Sequence, residues 1–331
     1  MKEKPSQLIS KWLKTGDKTV AIRYMSYFII ALLIFGFCGY AVTKMRLNDA
    51  NCNNLSKIYT GFPKLSSFNP DNAAYKYLLR DYYIKTAYNC CCGGQFKNDW
   101  VNVCALKTCI AQGARVLDFE IYSVNDKPVV ATSSVTNFHT KEMYNQIPFE
   151  DAMNIVNSYA FSGGSTPCPN DPLILHFRIS SNNKKIYDKM ADTIYSTIES
   201  KLLGKEYSYE YTGHNLGAVP LKEFSQKVII SVDRSNPLFE ETPLKEYVNI
   251  ASNSIFLRAA RDYDIKFTPD SSELIEYNKK NMTLSMPDLS AYDTNPSAAL
   301  NFGYGCQWVG MCFQNFDANM EFYSLFFDKV G

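Results

Sequence analysis

Histidine is scarce in this 331-residue chain: His139, His176 and His214 are the only three. Chemistry that moves protons through paired imidazoles would need most of that supply. An excess of one charge is also missing. Lys and Arg number 34 against 33 Asp and Glu, a formal net charge of +1, and no basic stripe interleaved with aromatics occurs. That excludes a nucleic-acid binder. No internal repeat or low-complexity tract breaks the chain. The run Cys90–Cys91–Cys92, followed by Cys104 and Cys109, has no further spaced CxxC pair and no nearby histidine. A zinc site there is the lesser alternative to disulfides in an oxidising compartment.

What is present is apolar and aromatic. Hydrophobic residues make up 46% and aromatics 14%, including 23 Tyr and 21 Phe. The length allows one large domain or two ordinary ones with a sizeable core. There are ten cysteines, of which Cys38 lies in an apolar segment. The other nine are an odd number, so at least one thiol is free or paired with another chain.

Residues 1–23 form a polar, basic tail. Residues 24–43, YMSYFIIALLIFGFCGYAVT, then run without a charge. As a helix this run spans about 30 Å of hydrocarbon. Tyr24, Tyr27 and Tyr40 sit near its ends, where amphipathic rings favour the interface. Lys44 and Arg46 follow at once, with no small-residue cleavage site, which favours an uncleaved single-pass anchor over a signal peptide. The basic excess upstream places the N-terminus in the cytoplasm and the large C-terminal part in the lumen or exterior. Residues 44–69, polar and rich in Asn, Ser and Pro, read as a stalk. Asn54 and Asn281 begin glycosylation triplets, a weak signal.

The rest alternates strand-like and helix-like segments, which predicts an α/β barrel or a doubly wound sheet. Strands are expected at 82–86, 115–122, 172–179 and 227–232, and helices at 149–160 and 183–203. The chain is organised around residues 111–134, AQGARVLDFEIYSVNDKPVVATSS: a helix end, a tight turn at Gly113, then a strand, a turn and a second strand. Asp118 and Glu120 share one strand face, with Leu117, Phe119 and Ile121 on the other. Two carboxylates so placed need a metal, a cationic side chain, a water-filled cleft or a solvated edge.

Several segments resemble, in order, the two catalytic halves of the phosphoinositide-specific phospholipase C family. ALKTCIAQGARVLDFEIY (105–122) resembles the block with a Gly turn before an acidic strand. NPSAALNFGYGCQWVGMCFQNFDANM (295–320) resembles the final block. YLLRDYYIKTAYNCC (77–91), KPVVATSSVT (127–136), IPFEDAMNIVNSYAF (147–161), DPLILHFRISSNNKKIYDKMADTI (171–194) and LKEFSQKVIISVD (221–233) fall between or before them in the family's order. The resemblance covers roughly residues 70–325. It implies a distorted (βα)8 barrel of the TIM type, with a first half at 70–205, a linker at 206–220 and a second half at 221–331. Nothing in the sequence resembles a pleckstrin, EF-hand or C2 segment.

The resemblance also implies an acid and a base, both histidines, and a calcium ion held by Asn and carboxylates. Carried over by position, the first histidine falls at Tyr88 and the second at Thr132. The metal ligands fall at Asn89, Asp118, Glu120 and, for the last carboxylate, Arg178. Two phosphate-holding lysines fall at Ser231 and Asp233, and an inositol-stacking arginine near Leu284. A side chain with a pKa near 10 and one without a useful pKa stand where titrating groups belong. General acid–base catalysis is worth about 10²–10⁴ in rate, so the reaction should be nearly silent. Arg178 either points inward, as a salt bridge in the metal's place, or outward. His176 shares its face and is most simply a hydrogen-bonded core residue. His139 and His214 are either solvated or recruited to the mouth.

Two readings follow. One is a membrane-anchored, catalytically impaired domain that binds or scaffolds and needs no cofactor, its calcium site degraded. The other is an active phosphodiesterase in which Tyr88, a spare histidine and Arg178 replace the usual groups. The ligand expected is a phosphatidylinositol-type lipid, a glycosylated inositol lipid or another phosphodiester. For the anchor, a tag after residue 331 should resist protease added to the cytoplasmic side of intact membranes. Its digestion there would reverse the assigned orientation.

Overall fold

The computed structural model describes residues 18–72, 75–136 and 140–331. The chain divides into two units, 1–47 and 48–331. The first helix, α1 (Lys18–Ile58), has 41 residues. Its apolar part is long and apolar enough to cross a membrane. The helix does not stop at the last apolar residue. Residues 44–58, expected as the start of a stalk, continue it. Asn and Ser are weak helix formers, but tertiary contacts override propensity here. Leu55 is buried, the Asn51 amide donates to Asp99 at 2.8 Å, and Cys52 is bonded to Cys104.

In chain order the strands are β1 (Ile84–Ala87), β2 (Val116–Val124), β3 (Lys127–Val130), β4 (Ile147–Pro148), β5 (Leu173–Ile179), β6 (Val228–Asp233), β7 (Ile250–Ser252), β8 (Leu257–Arg261), β9 (Met282–Met286) and β10 (Trp308–Met311). Eight of them line up as β7-β6-β5-β2-β1-β10-β9-β8, every neighbouring pair parallel. This is a nearly closed α/β barrel; among the described residues no ladder joins β7 to β8. The crossover helices include α2 (Val103–Ala111), α3 (Phe149–Tyr159) and α4 (Lys184–Ile198). The long helix expected over 183–203 ends early, with one 3-10 turn at Glu199–Lys201.

Two turns fix the central stretch. Gly113 has φ +75°, the left-handed region that lets α2 end and β2 begin at once. Asn125 and Asp126 have φ +51° and +57°, as a two-residue hairpin requires, and β3 folds back antiparallel on β2.

Register then decides what lines the barrel. Asp118 pairs with His176 and Glu120 with Arg178, while Ser231 pairs with both His176 and Ile250. Laterally paired residues share a face, so the polar members of β2, β5 and β6 form one row. That row points inward, because His176 reaches across β6 to Ser252. Phe119, Phe177, Ile230 and Val232 take the other face and are buried under the helices.

The ten cysteines resolve into one disulfide, Cys52–Cys104, an exposed thiol at Cys38 and buried thiols at Cys90, Cys91, Cys92, Cys109, Cys168, Cys306 and Cys312. Among the described residues no group of three or more His, Cys, Asp or Glu is arranged to hold a metal. The disulfide closes a loop of sequence separation 52. Replacing both partners (Cys52→Ser with Cys104→Ser) should destabilise the 48–331 unit by about 2–5 kcal/mol. Thermal unfolding of the detergent-solubilised chain measures this, and an unchanged midpoint would show that the bond constrains nothing.

Candidate functional site

The inward row converges on one guanidinium. Arg178, near the C-terminal end of β5, donates from Nε to Asp118 Oδ1 at 3.0 Å and from Nη2 to Asp118 Oδ2 at 3.0 Å. Nη2 also donates to Asn89 Oδ1 at 2.6 Å, and Nη1 lies 3.4 Å from Glu120 Oε2. This is the bidentate fork that suits arginine to a carboxylate. Asn89 lies two residues past the end of β1, with φ 44°. That left-handed turn, which asparagine tolerates, lets its backbone N–H bond Asp118 Oδ2 at 3.0 Å. His176 completes the set: Nδ1 lies 2.7 Å from Asp118 Oδ1 and Nε2 2.9 Å from Ser252 Oγ.

The electrostatics follow. Burial alone would push the Asp118 carboxyl up, but Arg178 and His176 outweigh it and hold the group well below the usual range. Burial pushes Glu120 up, offset in part by Arg178 and by the Tyr122 hydroxyl, which donates to Oε1 at 2.5 Å. Burial works against the Arg178 charge, yet Asp118 keeps it firmly protonated.

The two positions expected to carry acid and base lie close by and are engaged. Arg178 stacks 4.7 Å from the Tyr88 ring centroid, and the Tyr88 hydroxyl accepts from Arg261 Nη1 at 3.1 Å. Burial raises the pKa of that phenol further. Thr132 is buried and donates to the Phe96 carbonyl at 3.1 Å. The Phe96 ring meets Tyr88 edge-on at 5.6 Å, so one buried residue touches both positions. Gly310, opposite Thr86 on the neighbouring strand, leaves room for this; a Cβ there would stand 3.3 Å from that of Tyr88.

The other expected residues are spread out. Ser231 is buried inside the barrel with an unpartnered hydroxyl. Asp233 lines the mouth at the end of β6. Leu284 is fully buried in β9, in register with Ala259 and Trp308. His214 is exposed, bonded to Tyr211 and Thr212, and not among the residues that line the mouth. His139 falls outside the described residues.

Arg261 and Phe96 were not foreseen. Arg261 ends β8, a strand the sequence hardly signals. Its guanidinium is fixed by Tyr88 and by the Pro287 carbonyl at 2.8 Å. The mouth itself is a cavity of about 190 Å³, lined among others by Glu120, Ser133, Arg178, Asp233, Asn236 and Arg261.

A calcium ion takes six to eight oxygen ligands, several of them charged. Here Asn89 Oδ1 and both Asp118 oxygens already accept from a buried cation. The donor set therefore does not fit calcium.

Residues 75–234 match the family model described as phosphatidylinositol-specific phospholipase C, X domain. The fold is similar to crystal structures of PLC21 from L. pealei (TM-score 0.62) and from S. officinalis (TM-score 0.63). Each is 16% identical over 77% of this chain, which spans 36% of either chain's length. No curated protein sequence matches the chain. The resemblance to the phospholipase C-like catalytic barrel thus holds in sequence over the first half, and in fold over most of the chain.

Arg178→Met should destabilise the barrel by about 3–5 kcal/mol, because it strands a buried carboxylate. Adding Asp118→Leu should recover part of that loss in denaturant unfolding. The pH sign is fixed by Asp118, whose folded pKa is depressed: its contribution is present above the ordinary carboxylate range and is lost as pH falls toward the folded value. The acid limb of the wild-type stability curve should therefore be steeper than that of Asp118→Asn.

Proposed function

We propose that the chain is a membrane-anchored phospholipase C-like domain that binds an inositol-type phospholipid without turning it over. One observation carries this reading: the Arg178 guanidinium sits among Asn89, Asp118 and Glu120, the positions of the family's metal ligands. A fixed cation there is hydrogen-bonded to Asp118, lies 3.4 Å from a Glu120 oxygen that has no hydrogen-bond partner, and would repel a second cation.

Proton transfer lacks its groups as well. Tyr88 accepts from Arg261 and Thr132 donates to a backbone carbonyl, so neither is poised beside a substrate oxygen. What remains at the mouth suits recognition. Arg178 and Arg261 supply positive charge, while Ser133 and Asn236, tied to Glu142 and to Ile179, Ser181 and Tyr187, form a neutral polar wall. Ser231 and Asp233 offer no positive charge for extra ring phosphates. The ligand that fits is a phosphatidylinositol-type or glycosylated inositol lipid without them. Helix α1 supports the anchor, with the N-terminus cytoplasmic and the barrel lumenal or exterior.

The test is hydrolysis of phosphatidylinositol in mixed micelles by the full-length chain, with calcium and with chelator. No calcium-dependent product should appear, and calorimetric titration should give no calcium binding tighter than about millimolar. Arg178→Glu, which restores a third carboxylate, should make the unfolding temperature rise with added calcium. Calcium-dependent cleavage by the unmodified chain would overturn the proposal.

A further inference from the structure

A second cavity, of about 340 Å³, opens where β1, β2 and β5 begin, at the end of the strands opposite the mouth. In barrels of this kind that end usually serves stability rather than chemistry. Here it gathers hydrogen-bond donors with nothing to donate to. Lys85 is 3% exposed and lines the cavity. Among the described residues its ammonium makes no hydrogen bond or ion pair; it lies 5.8 Å from the centroid of the Phe327 ring. The buried Tyr82 hydroxyl and Arg115 Nε line the same cavity, also without acceptors. The remaining Arg115 nitrogens are occupied by the Ala160 carbonyl and Thr166.

A buried ammonium without an acceptor is strongly unfavourable. Burial pushes the Lys85 pKa down to about 8. The acids nearby do not pair with it: Asp328 offsets the burial only in part and from beyond hydrogen-bond distance. Asp171 accepts from the Phe68 N–H, Asp81 from the Leu78 N–H, and Asp328 from the Lys64 N–H. Asp81 and Asp171 also line the cavity, each bound to a backbone N–H, and the rest of the wall is largely apolar, with Leu65, Phe68, Phe326, Phe327 and Val330 facing the same space.

The geometry points to a binding site for a small amphiphilic carboxylate, its anion between Lys85, Tyr82 and Arg115 and its apolar body along Phe68, Phe326 and Phe327. A charge-assisted contact to a desolvated ammonium is among the stronger polar interactions, and the volume lies within the range of small-ligand sites. Register keeps this site separate from the mouth: Lys85 pairs with Val309 and Thr86 with Gly310, so Lys85 lies on the outer face of β1, against the C-terminal helix Ala318–Val330.

The probe is decanoate, titrated below its micelle concentration into the full-length chain in detergent, with empty micelles as the blank. Decanol and decylamine serve as length-matched controls. Decanoate should bind saturably at one site per chain, at least ten-fold more tightly than decanol, equivalent to about 1.4 kcal/mol. Lys85→Met should abolish that preference, and Tyr82→Phe should weaken decanoate while leaving the fold intact by circular dichroism. If Lys85→Met does not fold, the decanoate-to-decanol ratio and Tyr82→Phe decide. Equal binding of all three probes, or a Tyr82→Phe chain that binds decanoate like wild type, would reduce the cavity to an unspecific apolar gap and overturn the assignment.

Discussion

The pair formed by Arg178 and Asp118 is the constraint to which the barrel interior answers. A carboxylate held inside a parallel barrel has no water to solvate it, so its charge must be balanced on the spot. Arg178 does so through two parallel contacts, and His176 and the Asn89 backbone fill the remaining acceptor positions of Asp118. The partners come from beyond β2 itself: Asn89 just after β1, and His176 and Arg178 from β5, with His176 tied in turn to Ser252 at the end of β7. The set can form only when those strands lie in register, so the polar row helps to specify the barrel it sits in. Specificity of this kind is a recognised use of buried ion pairs, which add little net stability by themselves.

The same pair sets the chemistry that is left. With the guanidinium donating to Asn89 and Asp118, the oxygens are turned toward nitrogen rather than toward the mouth. Arg178 also lies over the Tyr88 ring, and Arg261 holds the hydroxyl of that ring from the other side. Tyr88 thus acts as a spacer between two arginines. Their repulsion is tempered by the π-face on one side and by hydrogen bonds on the other.

Much of this was legible in the sequence because strand geometry is simple. Alternation put Asp118 with Glu120 and His176 with Arg178, and a parallel ladder does the rest: once β2 and β5 are neighbours, two acids stand opposite a histidine and an arginine. What stayed hidden has equally physical causes. Strand β8 is a short segment whose alanines carry little β signal, so Arg261 could not be placed. Phe96 comes from a loop, where position depends on long-range contacts rather than local pattern. The run from 44 to 58 reads as stalk because Asn and Ser are poor helix formers, and only Cys52, Leu55 and Asn51 docking elsewhere make it a helix.

One short strand carries both of the molecule's unusual environments. On β1 and its continuation, Thr86 and Tyr88 share the inner parity, whereas Lys85 and Ala87 share the outer one. The inner side meets a cation stacked on a ring inside a polar row; the outer side meets a cation beside a ring with no acid paired to it. The difference is balance. Arg178 has Asp118 within hydrogen-bond distance, so burial leaves its charge intact, while Lys85 has no such partner and burial lowers its affinity for the proton. The sheet lies between the two, and each side chain is held by its own packing. A change of charge at Lys85 can therefore reach Tyr88 only through the backbone of β1, which is pinned on both edges by β2 and β10. Two sites so close in sequence are in this way kept mechanically apart.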